Sequence, residues 1–444
     1  MTHSTESYRN IINLSFPLVL GSMAHTVISV TDTAFMGRIG DVAIGAVGLG
    51  GIILLVFTMT GIGLANGAQI IIARMDGAKD HASIGKIYQD VTILLLTAAV
   101  ALIGFIHVAS SSLVDLLIQS DAISESVESY LYIRSWGFLP TFLLIAYRAF
   151  FTGISHTRPI AITSIVMALS NVVFNYMFVF GNWGCPRMGI DGAALASVGS
   201  EVLSTVVILI YLPLYVDKDK YGLKEKWKVR YAGMVRVVNL AIPMVLQYFL
   251  SLSSWLVFFV LIEGMGERAL SVSNVVRSVY SILMIPNIAL GNAVNTLVSN
   301  MIGQGKEDMV WVVVKRTLTL AVVGSLLFVV VNRIDPSIAL SIFTDDVTLI
   351  QDSLPIIDVI SITMFFFAIG MILLSAVAGT GNTRMSLFIE IATLVVYLTF
   401  IYMVVHIYHW ELVNVWLAEL VYFSLLSGMS LAYLWSGKWK GKKI

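Results

Sequence analysis

Residues 13–20 read NLSFPLVL and residues 239–246 read NLAIPMVL, so the same pattern recurs 226 positions further along the chain. The same offset of 226 positions pairs further residues along the two halves. Those pairs are Gly40 with Gly266, Asn66 with Asn292, Gly77 with Gly303, Gly153 with Gly379, Thr157 with Thr383 and Arg158 with Arg384. Because one register serves positions so far apart, the chain is predicted to contain two similar halves.

The composition is typical of a membrane protein. Of 444 residues, 58% are hydrophobic and 12% are charged, whereas soluble domains are about 45–50% apolar and about 25% charged. Lys and Arg number 27, as do Asp and Glu, so the net charge offers no basic surface and we expect no nucleic-acid partner. The single cysteine, Cys185, excludes an intrachain disulfide and a cysteine-rich metal site.

Twelve apolar stretches are long enough to cross a bilayer as helices, since a hydrocarbon core of about 30 Å needs about 20 residues. They cover residues 11–36, 44–73, 88–110, 130–153, 160–181, 190–213, 236–262, 270–300, 312–332, 355–379, 385–408 and 412–436. The predicted fold class is an all-α membrane protein with twelve transmembrane helices in two six-helix lobes. Because each half has an even number of spans, the lobes would be related by a pseudo-two-fold axis along the membrane normal, as in secondary transporters.

The longest charged stretch lies halfway along the chain, at residues 215–234. We therefore expect an N-terminal lobe at 1–214, a cytoplasmic linker at 215–235 and a C-terminal lobe at 236–444. With both termini in the cytoplasm, 21 of the 27 basic residues fall on the cytoplasmic side, which fits the positive-inside rule and leaves Arg134 and Arg277 among the outer ones. The sequence thus predicts a multi-pass protein of the cytoplasmic (inner) membrane whose first span is uncleaved.

Asp32 is the clearest candidate for chemistry, because an ionisable side chain in mid-span costs about 2.5–3.5 kcal/mol on insertion scales. Polar residues around it share one helix face, at spacings of three and four: Ser22, His25, Thr26, Ser29, Asp32 and Thr33. The fifth and sixth spans offer partners at similar spacing, namely Asn171, Asn175, Ser197, Glu201 and Ser204. The pattern predicts a carboxylate surrounded by amides and hydroxyls inside the first half.

Such a cluster can hold Na⁺, a hard ion that prefers oxygen ligands, or a proton. A purely structural Asp32 is the alternative, and His25 fits hydrogen-bonded packing better than a proton relay. We expect no other metal and no cofactor, because the chain has no HExxH motif and its Gly303-Gln304-Gly305-Lys306 segment is too short for a nucleotide-binding loop. Transport would therefore use an ion gradient, and neither an enzyme nor a passive channel fits the pattern as well.

The second half offers a different set of polar residues. Gln247, Ser251 and Arg277 are candidates for a substrate cavity, although Arg277 also fits a side chain that extends to the outer surface. Phe258 stands where the repeat would place a second Asp32, so the coupling machinery is predicted to be asymmetric. Glu390 has no polar neighbours on its own helix and is predicted to be structural or peripheral.

Five motifs occur in order along the chain. They are SVTDTAFMGRIG at 29–40, GISHTRP at 153–159, NVVFN at 171–175, GIDGAALAS at 189–197 and GTGNTR at 379–384. Together with the twelve spans and the repeat, they resemble the multidrug and toxic compound extrusion (MATE) family, in particular its bacterial NorM and DinF-like members. The resemblance covers the whole chain.

The resemblance implies a monomer in the lipid bilayer that exports cationic or amphiphilic small molecules in exchange for Na⁺ or H⁺. Asp32 would be the cation-coupling residue, assisted by Asn171 and Asn175, with a wider network of His25, Ser29, Ser197 and Glu201. NorM members carry acids on the seventh and tenth helices, where this chain has Ser251 and Phe367, so the resemblance does not extend to a second cation site. A lipid-linked precursor flippase of the same superfamily is the alternative, and it would favour a strongly basic cavity.

Overall fold

The computed structural model describes residues 7–117 and 120–442, and within these ranges it contains helices and no strand. The predicted lobes also include residues 1–6, 118–119 and 443–444, which lie outside the described residues. The α-helices are α1 (Tyr8–Gly37), α2 (Asp41–Gly77), α3 (His81–Leu117), α4 (Asp121–Ser135), α5 (Phe138–Gly153), α6 (Arg158–Phe178), α7 (Gly189–Tyr215), α8 (Tyr231–Glu263), α9 (Glu267–Gly303), α10 (Val310–Ile334), α11 (Ile338–Ser341), α12 (Val347–Gly379), α13 (Thr383–Tyr402) and α14 (Leu412–Trp435).

Eleven helices of the described chain are long and apolar enough to cross a membrane. The tandem of α4 and α5 provides the remaining crossing, so the predicted all-α membrane fold with twelve spans is confirmed. Most helices extend beyond the apolar stretches, because their polar ends stay helical outside the hydrocarbon. For example, α12 begins eight residues before the predicted 355, where the Asp346 side chain accepts hydrogen bonds from the N–H groups of Thr348 and Leu349.

The predicted fourth span, residues 130–153, is wrong as a single helix. It comprises the last turns of α4 and the whole of α5, separated at Trp136 and Gly137. Pro140 has no N–H for the carbonyl of Trp136, and its ring would clash with that carbonyl in a continuous helix. The break at this position therefore follows from the sequence around Pro140.

The chain divides into two compact units whose borders differ from the predicted linker. We call residues 17–245 the N-terminal unit, and residues 246–444 together with the chain start up to Phe16 the C-terminal unit. Helix α1 is thus divided at Pro17, and α8 is divided just after Pro243, the position that the repeat pairs with Pro17. The first turns of α1 and α8 each belong to the unit formed mainly by the other half of the sequence.

The repeat is visible in the helices themselves. Helices α2 and α9 each have 37 residues, and both their first and last residues are 226 positions apart. Gly153 and Gly379 end α5 and α12 at paired positions, and each sits where a side chain would meet a neighbouring helix. A Cβ on Gly379 would lie 2.5 Å from the backbone oxygen of Asn295, and one on Gly153 would lie 2.5 Å from Cγ2 of Ile72.

The segment between α7 and α8 belongs to the N-terminal unit and packs against helix α3. The Arg230 guanidinium donates to the Lys86 carbonyl and to Oε1 of Gln89, both at 2.9 Å, and its Nε lies 3.2 Å from Oδ1 of Asp90. The Asp90 side chain is only 1% exposed. Gln89 also donates to the carbonyl of Glu225. These contacts fasten the segment to the start of α3.

Candidate functional site

Asp32 on α1 meets the fifth predicted span, α6, inside the N-terminal unit. The Asn175 amide nitrogen donates to Oδ1 of Asp32 at 2.7 Å. The same nitrogen lies 3.0 Å from the Asn171 carbonyl and 3.1 Å from Oδ1 of Asn171. Asn171 in turn donates to Oγ of Ser197 on α7 at 3.3 Å. The structure therefore brings together Asp32, Asn171, Asn175 and Ser197, as their spacing suggested.

One hydrogen-bond acceptor in this cluster, the amide oxygen of Asn175, has no donor among the described residues. Because the Asn175 nitrogen faces three oxygens, the orientation of its amide is fixed, and the amide oxygen points elsewhere. Oδ1 of Asn175 is buried and has no hydrogen-bond partner in the described chain. A buried oxygen without a donor is costly. A cation or a hydrogen-bond donor bound at this oxygen would remove that cost.

Glu201 does not join this amide network, although it was expected there through Ser197. Both of its carboxylate oxygens accept from Arg134 on α4, at 3.0 Å and 2.5 Å. The side chains are 10% and 21% exposed, for Glu201 and Arg134 respectively, so this is a largely buried bidentate ion pair. Arg134 was missed in the sequence, because its position near the end of a span assigned it to the outer surface.

Two further residues complete the surroundings of the ion pair. Gly137 leaves the space that the pair occupies: a Cβ there would lie 2.5 Å from Oε2 of Glu201 and would overlap the Arg134 guanidinium. The Tyr130 hydroxyl is hydrogen-bonded with Arg134 and lies within electrostatic range of Asp32. Arg134 and Glu201 also act electrostatically on Asp32. Three charged groups thus share one neighbourhood, two negative and one positive.

The structure does not bring His25 and Ser29 to Asp32 by any recorded contact. Ser29 is exposed, and its carbonyl accepts from Thr33. His25 lines a cavity of about 100 Å³ within the N-terminal unit, which also borders on Tyr147, Arg148 and Glu201. The cavity mixes basic, acidic and apolar walls, unlike the strongly basic pocket that a pyrophosphate would favour. Glu201 therefore lines this cavity and also forms the ion pair with Arg134.

The C-terminal unit contains aromatic and aliphatic residues at the positions that the repeat pairs with the Asp32 cluster. Phe258 replaces Asp32, Tyr397 replaces Asn171 and Ile401 replaces Asn175. All three side chains are buried, and the rings of Phe258 and Tyr397 stack with centroids 6.2 Å apart. The asymmetry predicted from Phe258 therefore extends to its neighbours.

Gln247 and Ser251, the predicted cavity residues, are both bonded to Glu390. Ser251 and Tyr422 donate to Oε1 of Glu390 at 2.5 Å and 2.6 Å, and Gln247 donates to Oε2 at 3.4 Å. Glu390 is thus not isolated, because its partners come from α8 and α14 rather than from its own helix. Arg277 lies with its guanidinium 4.9 Å from the ring centre of Phe259.

Glu419 on α14 is a second buried carboxylate of this unit, and the sequence analysis did not single it out. It accepts from the hydroxyls of Tyr397 and Tyr280, at 2.8 Å and 3.3 Å. Its position within an apolar span could have identified it, because an ionisable side chain inside the membrane is costly without a partner. Among the described residues, no group of three or more His, Cys, Asp or Glu is arranged to hold a metal ion.

Comparison with known proteins identifies the family. The MatE family model matches the chain twice, at residues 17–177 and 243–403, and these segments start at the same offset as the internal repeat. The chain is 23% identical to a probable multidrug resistance protein NorM of Thermotoga maritima, over 99% of this chain and 94% of that protein. It is 28% identical to a probable NorM of Synechocystis, over 67% of this chain and 64% of that protein.

Solved structures share the fold. A mutant of a Vibrio cholerae MATE transporter superposes with a TM-score of 0.90 at 16% identity, covering 98% of both chains. A transporter of the MOP superfamily from Pyrococcus furiosus gives 0.88 at 17% identity, covering 98% of this chain and 97% of that one. With twelve apolar spans, a twofold match to one family model and this fold, the chain belongs to the MatE family of membrane-embedded multidrug efflux transporters.

Proposed function

We propose that the chain is a secondary antiporter that exports cationic or amphiphilic small molecules and takes up one Na⁺ or H⁺ at Asp32. One observation carries the proposal: among the residues that the structure describes, Asp32 is the acid of its cluster that forms no ion pair with a basic side chain. Arg134 is engaged by Glu201 through both carboxylate oxygens, whereas Asp32 is hydrogen-bonded by the neutral amides of Asn175 and Asn171. A carboxylate in this state attracts a cation or a proton.

The oxygen atoms around Asp32 fit either ion. The Asp32 carboxylate supplies the hard oxygen ligands that Na⁺ prefers, and Oδ1 of Asn175, on the amide that donates to Asp32, is a buried oxygen without a hydrogen-bond partner in the described chain. A proton would instead bind the carboxylate and remove its charge. The relatives from Thermotoga maritima and Synechocystis are named as multidrug resistance proteins, and a substrate range of this kind is part of the proposal.

The proposed function predicts efflux that depends on an ion gradient. Lipid vesicles that contain the purified protein and are loaded with ethidium should release the dye faster when either a sodium gradient or a proton gradient is imposed. The gradient that accelerates release identifies the coupling ion. Empty vesicles are the control. Equal release with and without both gradients would reject antiport. A flippase would instead leave ethidium release unchanged and would give no drug tolerance to an expressing cell.

We further propose that the segment at residues 216–230 faces the cytoplasm, because it belongs to the side that holds most Lys and Arg. Trypsin should cut this lysine-rich segment in inside-out vesicles and spare it in right-side-out vesicles. Replacement of Arg230 by Ala should accelerate cutting by up to about 100-fold, because it leaves the buried Asp90 unpaired at a cost of about 3 kcal/mol. Cutting from the opposite side would overturn the orientation, and an unchanged cutting rate would show that Arg230 does not fasten the segment.

A further inference from the structure

We propose that Glu201 is a positioning residue that keeps Arg134 away from Asp32 and thereby sets the site to accept one monovalent cation. The inference rests on the proposed function, in which Asp32 holds the coupling ion. It assigns a role to an ion pair that does not recur at the paired positions of the second half, where Ile360 and Ser427 stand.

The neighbourhood contains two carboxylates, Asp32 and Glu201, and one guanidinium, Arg134, which acts electrostatically on both acids. With Arg134 committed to Glu201, the cluster keeps one negative charge, and that charge resides on Asp32. One bound Na⁺ or H⁺ restores neutrality within a region of low dielectric.

Geometry shows that the choice of partner is imposed by the protein. Arg134 makes two parallel hydrogen bonds to Glu201, and Thr141 also hydrogen-bonds with Glu201. Gly137 leaves room for this arrangement, since a Cβ there would overlap the guanidinium and Oε2 of Glu201 and the pair would have to shift. The break between α4 and α5 places Gly137 in this position. Among the described residues, Arg134 is therefore ion-paired with Glu201 and not with Asp32.

Neutralising Glu201 should release Arg134 toward Asp32. In Glu201→Gln the guanidinium loses its carboxylate partner, and Asp32 is the remaining acid of the cluster. An Arg134–Asp32 pair would compete with the coupling ion directly. If that pair forms in at least about 90% of the molecules, the apparent ion affinity falls about tenfold or more, since binding is limited to the remaining fraction.

The test is a charge-balance series on the full-length protein in detergent. Binding of radioactive Na⁺ at pH 8 and proton uptake between pH 8 and pH 5 are measured for wild type, Glu201→Gln, and the double variant Arg134→Met with Glu201→Gln. The single variant should lose about tenfold or more in affinity for the ion that wild type binds. The double variant removes the competing charge and should bind within about threefold of wild type.

A purely structural ion pair predicts the opposite order. In that case the double variant, which loses both partners, would bind no better than Glu201→Gln, and this result would overturn the inference. Asp191→Asn is the matched control, because it removes a carboxylate that also links α4 to α7, through Ser129 at 2.6 Å; it should bind like wild type. Asp32→Asn separates the two proposals: if it binds the ion as wild type does, the proposed function itself fails.

Discussion

Replacement of Asp32 by Asn should reduce gradient-driven efflux of ethidium by about 100-fold or more. The variant keeps the size of the side chain and its contact with Asn175 but has no charge with which to hold Na⁺ and no carboxylate to take up H⁺. An interaction between an ion and a charged partner worth ~3 kcal/mol corresponds to about two powers of ten in affinity. Efflux from vesicles under the effective gradient measures the loss.

Two companion variants make this result specific. Asp41→Asn removes an exposed acid at the start of α2 in the same unit, and its efflux should match that of wild type. Asp32→Glu keeps the charge and should retain part of the activity. Full gradient-driven efflux by Asp32→Asn, with the protein present at normal amount in the membrane, would exclude Asp32 as the coupling residue.

The largest effect on stability should come from Gly379→Ala. The new methyl group would meet the backbone of Asn295, whose oxygen, Cα and carbonyl carbon would all lie within 3.1 Å. Since a backbone cannot turn aside as a side chain does, helices α9 and α12 would have to separate. Overpacking of this kind costs about 1–3 kcal/mol. We expect a fall of several degrees in the midpoint of thermal unfolding in detergent.

Gly324→Ala is the matched control for this substitution. Gly324 lies within α10 of the same unit, and a Cβ there would meet nothing within 4 Å. Since Ala is about 1 kcal/mol better than Gly inside a helix, the midpoint should stay the same or rise. Equal midpoints for the two variants would show that the close approach at Gly379 is not important for stability.

Much of the fold and part of the site were readable from the sequence for simple reasons. Membrane-spanning helices must be long and apolar, and a repeat in constant register requires only comparison of the chain with itself. Asp32, Asn171 and Asn175 could be grouped because helical spacing places polar residues on one face of each helix. Ser197 followed from the same argument. These are properties of single helices or of linear spacing.

Contacts between helices were harder to predict. Glu201 was assigned to the amide network through Ser197 on its own helix, but its partner, Arg134, is on α4. That pairing depends on the helix break at Pro140 and on the space at Gly137, neither of which is a periodic feature. Glu390 was treated as isolated for the same reason, since its partner Tyr422 is on another helix.

The exchange of the first turns of α1 and α8 has a consequence for any attempt to separate the two halves. A cut at residues 216–230 would give two polypeptides, but each would carry the first turns of a helix that belong to the other's unit. Neither fragment alone could bury those turns in their native place. A half-length polypeptide with this architecture would complete its fold only as a domain-swapped dimer, in which each copy supplies these first turns to the other.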